Sequence, residues 1–241
     1  ITAAKSSEEE KISSALGKIV ESDKTLKLQR HPETHELLLY GMWDQHISQV
    51  VKKLRMHNKV EVNLNAPKIP YRETITAAGD GHYRHKKQSG GHGQFAEVYL
   101  KVSPNHAGYE FKNDVFGGSI PRNFVPAVEK GVQEAMIKGP LAGCIVQNMI
   151  VSVYDGKHHD VDSSEMSFKI ASRHAFKDAM SKAKPILLEP IQKVKIMAPD
   201  HYMGDITGDL NHKRGRILGM SVEEGMQAVL AEVPLAEMSK Y

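Results

Sequence analysis

Tyr154-Asp155-Gly156-Lys157-His158-His159-Asp160-Val161-Asp162-Ser163-Ser164 stands between two runs of different period. Before it, Ile145 to Val153 reads as a β-strand. After it, apolar residues recur at helical spacing and predict a helix from Asp162, carrying Met166, Ile170, Phe176, Met180 and Ala183 inward. A strand that feeds a helix through a polar corner makes this part of the chain α+β, and the corner must face solvent. Asp155 and Gly156 supply turn chemistry. Asp162 with Glu165 has the spacing of a capping box, whose side chains accept from the unpaired amides of a first helical turn. The corner is therefore expected to be firm, with Lys157, His158 and His159 presented outward.

A second exposed corner lies upstream. Tyr71 to Ala77 and His82 to Gln88 read as strands, and Phe95 to Val102 as another, with Ser89-Gly90-Gly91-His92-Gly93-Gln94 between the last two. Glycines at 90, 91 and 93 permit a tight reversal and leave the backbone bare. A helix from Asn123 to Lys138, with Val125, Val128, Val132 and Met136 on one face, ends at Gly139-Pro140 and completes an α+β module over 75–189.

Residues 1–74 read as strand, helix, strand, strand, helix, strand. Ile12, Ala15, Leu16, Ile19 and Val20 mark the first helix, and Ile47, Val50, Val51 and Leu54 the second. The order βαββαβ is the ferredoxin-like arrangement, with both helices expected on one face of a four-stranded antiparallel sheet. From 190 to 241 the order βαββ, with a fresh helix expected after Pro234, reads as a second, truncated ferredoxin-like module.

The charge balance is only +3 with 13 histidines, so contact with nucleic acid has to come from local patches. The lone Cys144 can form neither an internal disulfide nor a thiolate cluster, and is expected to be a small buried hydrophobe in a protein of a reducing compartment. No apolar run approaches the ~20 residues that cross a bilayer. Glycine clusters are mostly turn devices, and histidines such as His82 and His85 are mostly surface residues without a role. With no cysteine or carboxylate completing a ligand set around the histidines, no metal site is expected. Nor is a catalytic one, because paired-carboxylate, Gly-x-Ser-x-Gly and His-Glu-x-x-His patterns are missing.

Pro70-Tyr71-Arg72-Glu73-Thr74-Ile75, Lys86-Lys87-Gln88-Ser89-Gly90-Gly91-His92-Gly93-Gln94-Phe95 and His159-Asp160-Val161-Asp162-Ser163-Ser164-Glu165 resemble stretches of the C-terminal half of elongation factor G. So do Leu187-Leu188-Glu189-Pro190-Ile191, Gly204-Asp205-Ile206-Thr207-Gly208-Asp209-Leu210 and Val233-Pro234-Leu235-Ala236-Glu237-Met238. The resemblance implies the family's third domain over 1–74, its fourth over 75–189, similar in fold to domain 2 of ribosomal protein S-five, and part of its fifth over 190–241. It implies a fragment of a monomeric, cytoplasmic ribosomal translocase whose partners are the ribosome, tRNA and mRNA. Gly90, Gly91, His92, Gly93, Gln94, Lys157, His158 and His159 would form an RNA-contacting tip in the decoding region. Lys86, Lys87, Lys213, Arg214 and Arg216 are further candidates for ribosomal RNA contact. The chain lacks a G-x-x-x-x-G-K-[ST] loop, so GTP and magnesium would belong to N-terminal domains of the parent, and no cofactor is expected here.

Where the family usually reads Gly-Met-Gly-Glu-Leu-His, this chain reads Gly41-Met42-Trp43-Asp44-Gln45-His46. That segment helps link the family's third domain to its GTPase body. A ribosome-recycling or tetracycline-protection paralogue is therefore one alternative, and a stand-alone RNA-binding or ribosome-assembly protein is another.

Overall fold

A computed structural model describes residues 1–3, 6–88 and 93–238. The chain forms two compact units, one made of Ile1–Pro70 with Pro190–Tyr241 and the other of Tyr71–Glu189.

The first unit begins with β1 (Thr2–Ala3), α1 (Glu9–Ser22), β2 (Lys27–Arg30), β3 (Leu37–Tyr40), α2 (Asp44–Asn58) and β4 (Val62–Asn63). Ile12, Ala15 and Leu16 of α1 meet Val50 and Leu54 of α2 in one core with Leu26 and Val60. Spacings of three and four residues put each set on one helical face. Helix α2 stops at Lys59, whose left-handed backbone (φ 53°) turns its N–H back to the carbonyl of Leu54. Among the described residues the expected four-stranded sheet is present as two antiparallel pairs, β1 with β4 and β2 with β3. With two residues each, β1 and β4 are too short to extend a ladder, and the α-ammonium of Ile1 donates to the carbonyl of Leu37 at 2.8 Å instead.

In the same unit β12 (Ile191–Ala198), α5 (Met203–His212), β13 (Arg216–Glu223) and β14 (Met226–Pro234) follow the nine central-unit strands and helices given below. The sheet order is β12-β14-β13, with Leu210 of α5 packed on Val229, Ala231 and Val233. A 3₁₀ turn, Leu235–Met238, stands where a fresh helix was expected.

The central unit contains β5 (Arg72–Ile75), β6 (Gly79–Lys87), β7 (Gln94–Pro104), β8 (Glu110–Asn113), α3 (Val125–Ile137), β9 (Ile145–Val146), β10 (Met149–Lys157), α4 (Glu165–Lys182) and β11 (Pro185–Leu188). Its main sheet runs β6-β7-β10-β8, antiparallel except where β8 joins β10, and a smaller sheet runs β11-β5-β9. Phe168, Ala171, Ala175, Phe176, Ala179 and Met180 of α4 are fully buried in the core. The helix lies close to β6 because the strand offers glycine: a Cβ on Gly81 would stand 2.1 Å from the carbonyl oxygen of Ala175. At the smaller sheet the buried Glu73 carboxylate accepts the backbone N–H groups of Leu141 (3.0 Å), Ala142 (2.8 Å) and Cys144 (2.9 Å) and so fixes that loop.

Four further details differ from the reading of the sequence. Helix α4 starts at Glu165, and its cap is Ser164, whose hydroxyl accepts the N–H of Ser167 at 3.2 Å. Asp155 and Gly156 are not turn residues but continue β10, opposite Tyr99 and Val98, after a bulge that takes up Tyr154. Met166 is exposed and Phe168 takes the inward position, because the buried face of the helix repeats through Phe168, Ala171, Ala175 and Ala179, and at about 100° per residue Met166 falls on the opposite side. Cys144 is half-buried rather than buried, held by its amide's bond to Glu73. Partial burial, reinforced by that carboxylate, pushes its thiol pKa up.

Candidate nucleic-acid interface

Gly93 and Gln94, the described residues of the glycine-rich corner, and Phe95 after them lie against the corner that follows β10, at one end of the central unit. Gly93 N–H donates to Asp162 Oδ1 at 3.0 Å, and Phe95 N–H donates to the Asp162 carbonyl at 2.9 Å. Ser163 Oγ donates to the carbonyl of Phe95 (2.8 Å) and accepts the N–H of His159 (2.8 Å), so one hydroxyl ties both corners together. A Cβ on Gly93 would stand 3.0 Å from the Asp162 carboxyl carbon, so glycine permits this approach.

The corner after β10 is a closed turn that orients His159. Its Nδ1 accepts the N–H groups of Val161 (3.4 Å) and Asp162 (3.3 Å), which places the ring proton on Nε2 as a donor. The ring stands edge-on to Phe95 with centroids 6.5 Å apart, and the side chain is more than half exposed. His158 lies against a third segment through Nδ1 and the carbonyl of Ser119, at 3.3 Å. Lys157, exposed, closes β10 opposite Glu97.

Gln94 Oε1 accepts from His85 Nε2 at 2.9 Å, which leaves the amide NH₂ as its outward donor. His85 therefore positions Gln94 rather than standing idle. Lys86, Lys87, Gly93, Gln94, Phe95 and His159 line a shallow hollow of about 270 Å³. Gly90, Gly91 and His92 lie outside the described residues. Lys213, Arg214 and Arg216 belong to the other unit, where each sits beside a carboxylate: Asp209 (4.0 Å), Glu237 (3.1 Å) and Glu232 (2.9 Å). A sequence pattern could not have shown Asp162, Ser163 and His85 as the residues that build the end, since each acts through a partner distant along the chain. The lone signal was Asp162, and its spacing pointed to a cap instead.

These features describe a class: a modular α+β protein whose central module ends where Gly93 and Gln94 are clasped to the corner that carries His158 and His159. The family description "Elongation Factor G, domain III" matches residues 1–66, "Elongation factor G, domain IV" matches 67–184, and "Elongation factor G C-terminus" matches 186–241. A crystal structure of a protein from Thermus thermophilus is similar over 100% of this chain, with 44% sequence identity and a TM-score of 0.90. The match covers 36% of that protein's chain. The chain belongs to the elongation factor G family, a family of translation factors, and matches its domain III, its domain IV and its C-terminus. Among the described residues no helix is long and apolar enough to cross a membrane.

Proposed function

We propose that this chain is the ribosome-facing part of a translocase that promotes movement of tRNA and mRNA, with the clasped end of its central unit entering the decoding region. The observation that carries this reading is the joining of Gly93 and Asp162, which fixes the Gln94 amide and the His159 Nε2–H on one rigid end. Both are hydrogen-bond donors of the kind that reads a ribose hydroxyl or a base edge. Once tRNA and mRNA have moved, such an end occupies the space they left. It favours the moved state by differential contact rather than by breaking a bond. In this reading the ribosome, tRNA and mRNA are the partners, the protein acts as a cytoplasmic monomer, and GTP hydrolysis with its magnesium lies in sequence outside these residues.

The test is single-round translocation by the full-length protein carrying Gln94→Ala with His159→Ala. Without the two contacts that favour the moved state, net forward movement is expected to slow by about tenfold or more. An unchanged rate removes the assignment. A second reading, a recycling or tetracycline-protection paralogue, draws on Gly41-Met42-Trp43-Asp44-Gln45-His46, where Met42 and Trp43 are exposed and His46 is held by Asp23 at 3.0 Å. Subunit-splitting and drug-rescue assays run beside translocation separate the two.

A further inference from the structure

The main sheet of the central unit has two faces of different chemistry. Gly79, Gly81 and Tyr83 of β6 turn toward α4, with Tyr83 stacked on His174 at 4.5 Å. Side chains alternate along a strand, so His82, Arg84 and Lys86 turn to the opposite face. Their partners across the ladder are Tyr99, Glu97 and Phe95 on β7, and Lys157 follows opposite Glu97 on β10. The imidazole of His82 stacks on the Tyr99 ring with centroids 4.2 Å apart and planes inclined 23°, and Tyr154 tilts toward Tyr99 at 6.1 Å. Four residues further along β7, about 13 Å away, Phe95 meets His159 at the clasped end.

Under this row lies Glu97, whose side chain is 2% exposed. It accepts from His82 Nε2 (2.8 Å), Arg84 Nε (2.9 Å) and the Tyr99 hydroxyl (3.1 Å). Three donors on one carboxylate lock an imidazole, a guanidinium and a phenol side by side, although His82 and Arg84 are themselves about half exposed. Packing alone gives no reason to order polar rings on an open face. Charge is also uneven: the rows nearest the clasped end carry Arg84, Lys86 and Lys157 against Glu97 alone, while Asp155 stands in the next row, opposite Tyr99, and Asp80 one row beyond, opposite Lys101.

We propose that this face binds a single-stranded RNA segment that continues from the clasped end. A base stacks on the His82–Tyr99 pair, Arg84, Lys86 and Lys157 meet the phosphates, and Glu97 acts as a positioning residue. Sequence-tolerant single-strand binding is built from this combination of aromatic platforms and a cationic groove. A partner protein would instead favour an apolar patch depleted in lysine. The inference deepens the functional reading above, which supplies the source of the RNA, but the platform is separate from the Gln94 and His159 contacts.

The test uses the 241-residue chain and a fluorescent oligouridylate of about ten nucleotides, followed by anisotropy at low salt. His82→Ala with Tyr99→Ala is expected to weaken binding about fivefold or more, while Tyr99→Phe, which keeps the ring, stays near wild type. A 2-aminopurine base in the oligonucleotide should be quenched by the wild type and by Tyr99→Phe but not by the double variant. Arg84→Gln with Lys157→Gln should reduce the salt dependence of binding. Absence of binding by the wild-type chain, or unchanged affinity in a double variant with wild-type circular dichroism, overturns the proposal. If Gln94→Ala with His159→Ala abolishes binding while the platform variant does not, RNA is held by the end alone and this face has another role, with a protein partner the next to test. If the platform variant loses binding and translocation is untouched by the end variant, the face stands and the tip reading fails.

Discussion

Asp162 and Gly93, 69 residues apart in sequence, are joined by a 3.0 Å hydrogen bond from backbone N–H to carboxylate, and this contact makes two loops one structure. Replacing Asp162 by Ala removes the carboxylate but leaves its carbonyl bonded to Phe95 N–H. The expected outcome is a stability loss of about 1.5–3 kcal/mol, the usual range for a bond to a charged group. Amide exchange at Gly93 should accelerate while exchange at Phe95 changes little. If Gly93 exchanges at the same rate in both proteins, the clasp is not formed by that carboxylate.

Ser164, two residues on, supplies the helix cap, and the two neighbours therefore fail differently. Ser164→Ala removes the acceptor for Ser167 N–H and should cost about 1 kcal/mol. Its effect belongs to the first turn of α4, so amide exchange should rise at Ser167 and not at Gly93. Equal effects of Asp162→Ala and Ser164→Ala on Ser167 would return the capping role to Asp162.

The contrast between these residues shows where the sequence is legible. Periodicity placed three helices well, since α1, α2 and α3 depend on local apolar spacing, and the resemblance in motifs extended to the whole chain. Spacing could not distinguish Asp162 from Ser164, because a serine and an aspartate near a helix start have the same chemistry and only the path of the preceding strand decides between them. Extension of β10 to Lys157 was hidden for a similar reason: Asp155 and Gly156 are turn residues in isolation, and the ladder with β7 keeps them in the strand. The stacked His82–Tyr99 pair was invisible, since its members are 17 positions apart and come together through the register of β6 with β7.

Glycines of the helix-facing strand and of α1 make opposite predictions. Gly81→Ala would push a methyl to 2.1 Å from the Ala175 carbonyl and 2.4 Å from the Ala179 amide, both backbone, so α4 has to move. Thermal or urea unfolding should show a loss of about 3 kcal/mol or more. Gly17, inside α1, has nothing within 4 Å of an added Cβ, and Gly17→Ala should stabilise by about 0.5–1 kcal/mol through helix propensity. A neutral Gly81→Ala would mean that α4 does not rest on β6 at this distance.

Glu97 links the sheet face to pH. Burial alone would raise its pKa, but hydrogen bonds from His82, Arg84 and Tyr99 together outweigh it and hold the carboxyl below its ordinary 4.5. A folded-state pKa below the unfolded value means the unfolded chain binds the proton more readily. The stabilisation is therefore complete above about 4.5 and fades as pH falls through the lowered folded-state value. Glu97→Gln keeps one carbonyl acceptor for three donors and loses the charge. It should destabilise the chain by about 1–3 kcal/mol at neutral pH, the cost of leaving charged and polar partners short of an acceptor. Urea titrations at successively lower pH should show the gap between wild type and variant narrowing below 4.5, where the unfolded chain takes up the proton first, and closing once pH has fallen past the lowered folded-state value. A gap that stays constant into acid would show that the ionised carboxylate contributes nothing to the fold, and that the ordering of His82, Arg84 and Tyr99 has another origin.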